Sequence, residues 1–256
     1  MSAAFYSLDG DHVVPSELTR GPWDPGAQHA GPPSALLGRA VEAEGMLVGR
    51  ITIEVLRPVP LAPLAVTGRV LRPGRNVELV EAALAEATGA GRELARATAW
   101  RLRVDRAVAV PDPDPPPAGP DAGHEVPFFP TGQAVGYHTA MDYRFLSGGF
   151  VEPGPAVVWL RMRQALVAGE APSPLVRVLV AADSGNGVSA TLDYRRFVFI
   201  NTELTVHLTR EPAGEWVCLD AITRPGTLGV GLSEAVLSDE QGRLGRAAQT
   251  LLVRER

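Results

Sequence analysis

Two α+β units in tandem are what this sequence predicts, on three observations. A proline-rich break lies near the middle of the chain, a helical pattern followed by strand patterns lies on each side of it, and short residue strings recur in the same order in both halves. A chain of 256 residues, 45% apolar and 21% charged, can build one large or two small cores.

The break runs from Pro111 to Pro130, PDPDPPPAGPDAGHEVPFFP. Proline fixes φ and lacks an N–H, so this density excludes a long helix or a central strand. The stretch reads as a semi-rigid tether crossing the outside of the molecule, which divides the chain into a unit at 1–108, a linker at 109–135 and a unit at 136–256.

In the first half, Pro32 and Pro33 suit a first helical turn, and a helix is predicted over Ser34 to Glu44, with Leu36, Leu37, Ala40 and Val41 as its apolar residues and Gly45 as its stop. Strand patterns follow at Arg50 to Leu56, Leu64 to Leu71, Val77 to Ala87 and Glu93 to Val104. Breaks at Arg72-Pro73-Gly74 and Gly89-Ala90-Gly91 make them an antiparallel meander. In the second half Ser173 is placed to cap a helix over Leu175 to Asp183, with Pro174 in its first turn. Strands are predicted at Arg196 to Leu208, Glu215 to Thr223, Gly229 to Ser238 and Leu244 to Val253.

The halves also match in residues. Arg72-Pro73-Gly74 recurs as Arg224-Pro225-Gly226, and Leu94-Ala95-Arg96-Ala97 as Leu244-Gly245-Arg246-Ala247. Between them, Glu81-Ala82-Ala83-Leu84 recurs as Glu234-Ala235-Val236-Leu237. Each match is weak in an Ala- and Arg-rich chain, but their shared order points to duplication. In each unit the helix buries its apolar stripe on one face of the sheet, and pairing the two sheets edge to edge removes exposed strand edges.

Several function classes are disfavoured. All 24 basic residues are arginine, the net charge is −5 and no basic stripe is present, so nucleic-acid binding is not expected. No apolar run is long enough for a membrane span and the amino terminus lacks signal-peptide features, so the expected location is the cytoplasm, with no membrane partner. Cys218 is the single cysteine, and His12, His124 and His138 form no ligand spacing, so neither a metal nor any other cofactor is expected. There is no Gly-x-Ser-x-Gly elbow, phosphate loop or dinucleotide fingerprint.

Four segments carry a family resemblance. Gly21-Pro22-Trp23 with Gln28-His29-Ala30-Gly31-Pro32 resembles a Gly-Pro-Trp and His-Gly-Gly-Pro segment leading into a first helix. Leu56-Arg57-Pro58-Val59-Pro60 resembles a Leu-Arg-Pro strand end. Ala182-Asp183-Ser184-Gly185-Asn186-Gly187 follows the second helix, and Gly229-Val230-Gly231-Leu232-Ser233-Glu234 is joined by Gly245-Arg246-Ala247-Ala248-Gln249-Thr250. In that order they resemble the thioesterase-like superfamily of tandem hotdog proteins, related to bacterial acyl-CoA thioesterase II. The resemblance implies a double hotdog, in which each unit wraps an antiparallel sheet around a long helix, and hydrolysis of acyl-CoA or another acyl thioester. It also implies possible assembly into homo-oligomers.

The resemblance further implies a water held by an Asp, a Thr or Ser, and a Gln. Asp183 matches the Asp as a candidate base, and Gln249 matches the Gln that aims the water, while the equivalent residue of the first half is Ala99. Alignment through His207 puts Phe199 at the hydroxyl position, with Asn201 and Thr202 beside it as candidates for the third catalytic contact. His29, Gly31 and Phe199 are candidate substrate-binding residues, with backbone N–H groups near Gly31 and the helix start as oxyanion donors. The rival reading is a non-catalytic binder of acyl or other hydrophobic ligands, which holds if Phe199 fills the catalytic pocket. A one-residue strand slip decides between the two.

Overall fold

The computed structural model describes residues 3–107 and 115–256, so part of the predicted tether lies outside the described residues. The first half contains strands β1 (Ala4–Asp9) and β2 (His12–Pro15), helix α1 (Gly31–Val41), and strands β3 (Met46–Val55), β4 (Leu64–Arg72), β5 (Val77–Glu86) and β6 (Glu93–Arg103). The second half begins with β7 (Met141–Gly149), β8 (Glu152–Met162), β9 (Ala165–Val167) and helices α2 (Pro174–Ala182) and α3 (Gly185–Val188). It continues with β10 (Phe197–Asn201), β11 (Glu203–Leu208), β12 (Trp216–Pro225), β13 (Val230–Asp239) and β14 (Gly242–Glu255).

These strands form one sheet whose order is nearly a palindrome. From one end it runs β7, β8, β12, β13, β14, β11, and from the other, after β9, it runs β1, β2, β4, β5, β6, β3. The halves meet where β11 pairs antiparallel with β3, Thr205 facing Thr52. Both copies of the recurring Arg-Pro-Gly string turn a hairpin, β4 to β5 and β12 to β13. A Cβ on Gly74 would run into Val77 O, and one on Gly226 would lie 2.7 Å from Val230 O, so both turns need the missing side chain.

Alternation along the strands sends one face inward, as in β11, where Leu204, Val206 and Leu208 are buried. The inner face is covered by α1 and α2, which pack against each other. Glycine sets their distance: a Cβ on Gly31 would stand 2.7 Å from Val180 O, and one on Gly38 would overlap Leu179 Cδ1. Ser173 caps α2 as expected, accepting the Val176 N–H at 3.2 Å. Such a cap contributes about 1 kcal/mol.

The structure corrects several expectations. α1 begins at Gly31 and ends at Val41, both earlier than predicted, and Gly45 instead takes φ 71° in the turn into β3. The helices are modest, 11 residues in α1 and 9 in α2. The strand predicted over Arg196 to Leu208 is two strands: β10 pairs Asn201 with Leu251 and β11 pairs Thr205 with Ala248, so three residues face two at a bulge. There Glu203 Oε1 accepts the Thr250 N–H at 2.8 Å. Five strands, β1, β2, β7, β8 and β9, had not been predicted. Nor does the described part of the tether stay outside. Trp159 Nε1 donates to Ala118 O at 2.7 Å, His124 bridges to Phe145, and Phe129 is buried.

Candidate active site

Four segments converge at one end of the α1–α2 pair. Asp183 ends α2 as its C-cap residue, Asn201 ends β10 at the bulge, Gln249 lies on β14, and His29 lies in the loop before α1. The Asp183 carboxylate is buried and each oxygen is held. Its Oδ1 accepts from Asn201 Nδ2 at 2.8 Å and from Gln249 Nε2 at 3.2 Å, and its Oδ2 lies 3.0 Å from His29 Nδ1. Burying an ionisable group without such partners costs several kcal/mol, so this network is what lets a carboxylate sit here.

Gln249 is spent on this support. Its Nε2 also donates to the Asp183 carbonyl at 3.2 Å, and its Oε1 accepts the Asn186 N–H at 3.2 Å. It stands behind Asp183, buried, with Ser233 opposite it on β13.

His29 is fixed from both sides. Its N–H donates to Thr19 O at 2.8 Å, while the neighbouring Gln28 accepts from Tyr6 Oη at 2.6 Å and donates to Pro60 O at 2.7 Å. The imidazole stacks on Tyr137, with ring centroids 3.7 Å apart and planes 7° apart. Tyr137 Oη in turn donates to Val180 O at 2.7 Å and hydrogen-bonds Ser184 Oγ at 2.9 Å, and burial raises its pKa far above the ordinary phenol value. The Gly31 N–H also points at His29 Nδ1, at 3.1 Å.

A cavity of about 350 Å³ opens over these groups, lined by His29, Ala30, Asp183, Asn186, Asn201 and Thr202, with Trp23 and Arg57 also on its wall. Of the residues singled out in the sequence, Asp183, Asn201, Gln249 and His29 are therefore in direct contact. Thr202 lines the cavity, but its hydroxyl donates to Thr250 O at 3.3 Å. Phe199 is absent from this wall. Its ring packs with Leu251, Val253 and, edge-on at 5.2 Å, Trp23, lining a separate cavity of about 340 Å³. Gly31 serves helix packing and its N–H goes to His29. Pro32 and Pro33 have no N–H, and the Ser34 N–H goes to Ala30 O at 2.9 Å, so the first turn of α1 offers little to an oxyanion.

Sequence reading missed the aromatic residues behind the histidine. Phe128, Phe129, Tyr137, Tyr143 and Phe150 line a small inner chamber together with His29 and Trp23. The two adjacent phenylalanines near the end of a proline-rich tract were the available signal, since polar linkers rarely carry such a pair.

Residues 19–102 match the acyl-CoA thioesterase N-terminal domain, and residues 105–253 match the acyl-CoA thioesterase C-terminal domain. This chain belongs to the acyl-CoA thioesterase family, and so to the enzymes that hydrolyse thioesters. No curated protein matches it. Among solved structures it is similar to a proposed thioesterase II from Thermobifida fusca, at 18% identity and a TM-score of 0.76, covering 97% of this chain and 94% of that one. A conserved hotdog-fold protein from Alicyclobacillus acidocaldarius matches at 16% identity and a TM-score of 0.70, with 97% and 95% covered. The acyl-CoA thioesterase II TesB2 of Mycobacterium marinum matches at 16% identity and a TM-score of 0.66, with 97% and 95% covered. At these identities the likeness establishes a hotdog-type fold. Among the described residues no helix is long and apolar enough to cross a membrane, and no group of three or more His, Cys, Asp or Glu gathers as a metal site.

Proposed function

We infer that this chain is a double hotdog that hydrolyses acyl-CoA, or a related acyl thioester, with a water activated by Asp183. The observation carrying this reading is the buried Asp183 carboxylate, held by Asn201, Gln249 and His29 on the wall of the 350 Å³ cavity. The two units are 1–108 and 136–256, and the substrate meets groups from both, His29 from the first and Asp183 and Asn201 from the second. With CoA as carrier, the activity belongs in the cytoplasm.

In this mechanism Asp183 takes a proton from water as the water oxygen bonds to the thioester carbon. Collapse of the tetrahedral intermediate breaks the carbon–sulfur bond, and the proton passes from Asp183 to the departing thiolate. Asn201 Oδ1 accepts the water's second hydrogen, while its Nδ2 steadies Asp183. Gln249 acts on the water through Asp183, as a positioning residue. His29 Nδ1 has one in-plane site, which the Gly31 N–H needs as an acceptor and Asp183 Oδ2 needs as a donor. Arg57, on the cavity wall with Nη1 bonded to Glu93 O at 2.9 Å, is placed for the anionic carrier.

Phe199 packing against Trp23 rather than over Asp183 supports this reading over the non-catalytic binder. The test is release of free thiol from acetyl-, hexanoyl- and palmitoyl-CoA by the intact protein and by Asp183→Asn. Turnover lost in a folded variant supports the reading, and turnover equal to that of the unchanged protein sinks it.

A further inference from the structure

Trp23 stands between two cavities of similar size. The catalytic cavity of about 350 Å³ and the cavity of about 340 Å³ beside Phe199 both have Trp23 on their walls. The small inner chamber adjoins the two. It shares Pro22, Trp23, His29 and Asn186 with the first, and Trp23, Phe129, Phe150 and Gly187 with the second.

The second cavity occupies a gap in the apolar packing. Phe199, Leu251 and Val253 form a small cluster apart from the main core, and Trp23 and Tyr194 pack against both. The cavity lies between them, with Phe199, Ala190 and Leu192 on its wall from the small cluster and Phe129 and Phe150 from the main core. Apolar walls facing a gap lack partner atoms, and an apolar ligand supplies them.

Gly187 sits where the chamber meets this cavity. It lies within α3, where glycine is less stable than alanine, yet neither backbone nor packing asks for it. Its φ is not positive, and an added Cβ would meet no atom within 4 Å. Gly185 in the same turn differs, since a Cβ there would stand 3.2 Å from Gln249 Oε1. What the missing side chain at Gly187 provides is open space on the wall that chamber and cavity share.

We propose that the acyl chain runs from Asp183 through the inner chamber into the 340 Å³ cavity, and that Gly187 admits long chains by leaving this passage open. This rests on the thioesterase reading of the Asp183 site and names its substrate class, acyl groups long enough to reach beyond the chamber. The carrier stays on the Arg57 side. Each methylene that enters the second cavity exchanges water for apolar wall, so kcat/KM rises with chain length.

The experiment compares kcat/KM for butanoyl-, octanoyl- and dodecanoyl-CoA in the intact protein, in Gly187→Leu and in Ala190→Phe. Gly187→Leu obstructs the passage, and Ala190→Phe fills the cavity beyond it. The intact protein is expected to prefer dodecanoyl over butanoyl by at least about tenfold, and that ratio should fall by at least about tenfold in each variant. Gly187→Leu should fold normally, because its Cβ meets nothing, and Ala190→Phe repeats the test from the opposite wall. No preference for dodecanoyl in the intact protein, or a preference kept in either folded variant, would overturn the proposal. Calorimetry with the thioether analogues S-butyl-CoA and S-dodecyl-CoA reads the passage without hydrolysis. Tighter binding of the dodecyl analogue that Gly187→Leu abolishes, in a protein that cleaves no thioester, sustains the proposal and counts against the Asp183 reading alone.

Discussion

At one end of the α1–α2 pair, the acid that follows α2, Asp183, faces His29 in the approach to α1. At the other end, the acid that follows α1, Glu42, accepts from Ser173, the cap of α2, at 2.8 Å. The ends correspond strand by strand. Val48 pairs Arg101 beside a bulge in β3, as Asn201 pairs Leu251 beside the bulge between β10 and β11, and Ala99 occupies on β6 the place of Gln249 on β14. Each end has a cavity, about 350 Å³ at Asp183 and 290 Å³ at Glu42. One acid is thus braced by an amide on each side and an imidazole, and the other by a hydroxyl with alanine and valine in place of the amides. A helix-ending acid is common to both; the side chains that aim it are present at one end only.

The sharpest test of that contrast is Asp183→Asn, which should lower kcat by about a hundredfold or more, the range of general-base contributions, with the circular dichroism spectrum unchanged. Glu42→Gln should leave kcat untouched, and equal losses in the two variants would break the comparison. Asn201→Val gives the Asp183 end the residue of the Glu42 end. It removes a charge-assisted hydrogen bond and should cost roughly tenfold to a hundredfold in kcat, measured by thiol release. Gly31→Ala tests the helix contact that seats His29. Its Cβ meets backbone at Val180 O, so a loss of about 1–3 kcal/mol in denaturant unfolding is expected, and an unchanged midpoint would show that the contact gives way.

The smallest effect belongs to stability against pH. Burial raises the Glu42 carboxyl above its ordinary value, with Ser173 and Arg39 opposing. The folded protein therefore holds this proton more tightly than the unfolded chain. The resulting stability is full below the unfolded value of 4.5 and is lost as pH rises through the folded one. Glu42→Gln removes this dependence, so its Tm should equal or slightly exceed that of the unchanged protein at pH 7, the gap closing as pH falls toward 4.5. A variant less stable at pH 7 would mean that the Ser173 contact outweighs the burial.

Much of this arrangement was legible because it depends on local pattern. The Arg-Pro-Gly turns, the Ser173 cap and the strand alternation act within a few residues, and the paired strings gave the correspondence of β6 with β14. The β1–β2 hairpin was also readable, since Gly10 and Asp11 form a two-residue connection with Gly10 at φ 59°. The β7–β8 pair was obscured by Pro153 and Pro155 within β8. What sequence could not decide was the register at Thr202 to Leu204. One extra residue selects which β10 side chain reaches Asp183, and pairing across 50 positions sets it. The contact of His29 with Asp183 was hidden for the same reason, joining residues of different halves through the packing of α1 on α2.

Residues 125–135, in the segment between the halves, contribute Phe128 and Phe129 to the chamber wall while lying outside every strand and helix. A chain can therefore exchange residues 125–135 without disturbing a rung of the sheet, because the connector's bridge to the sheet lies at His124. The connector is in effect an interchangeable insert, through which the aromatic wall beside His29 can change while the groups around Asp183 stay fixed.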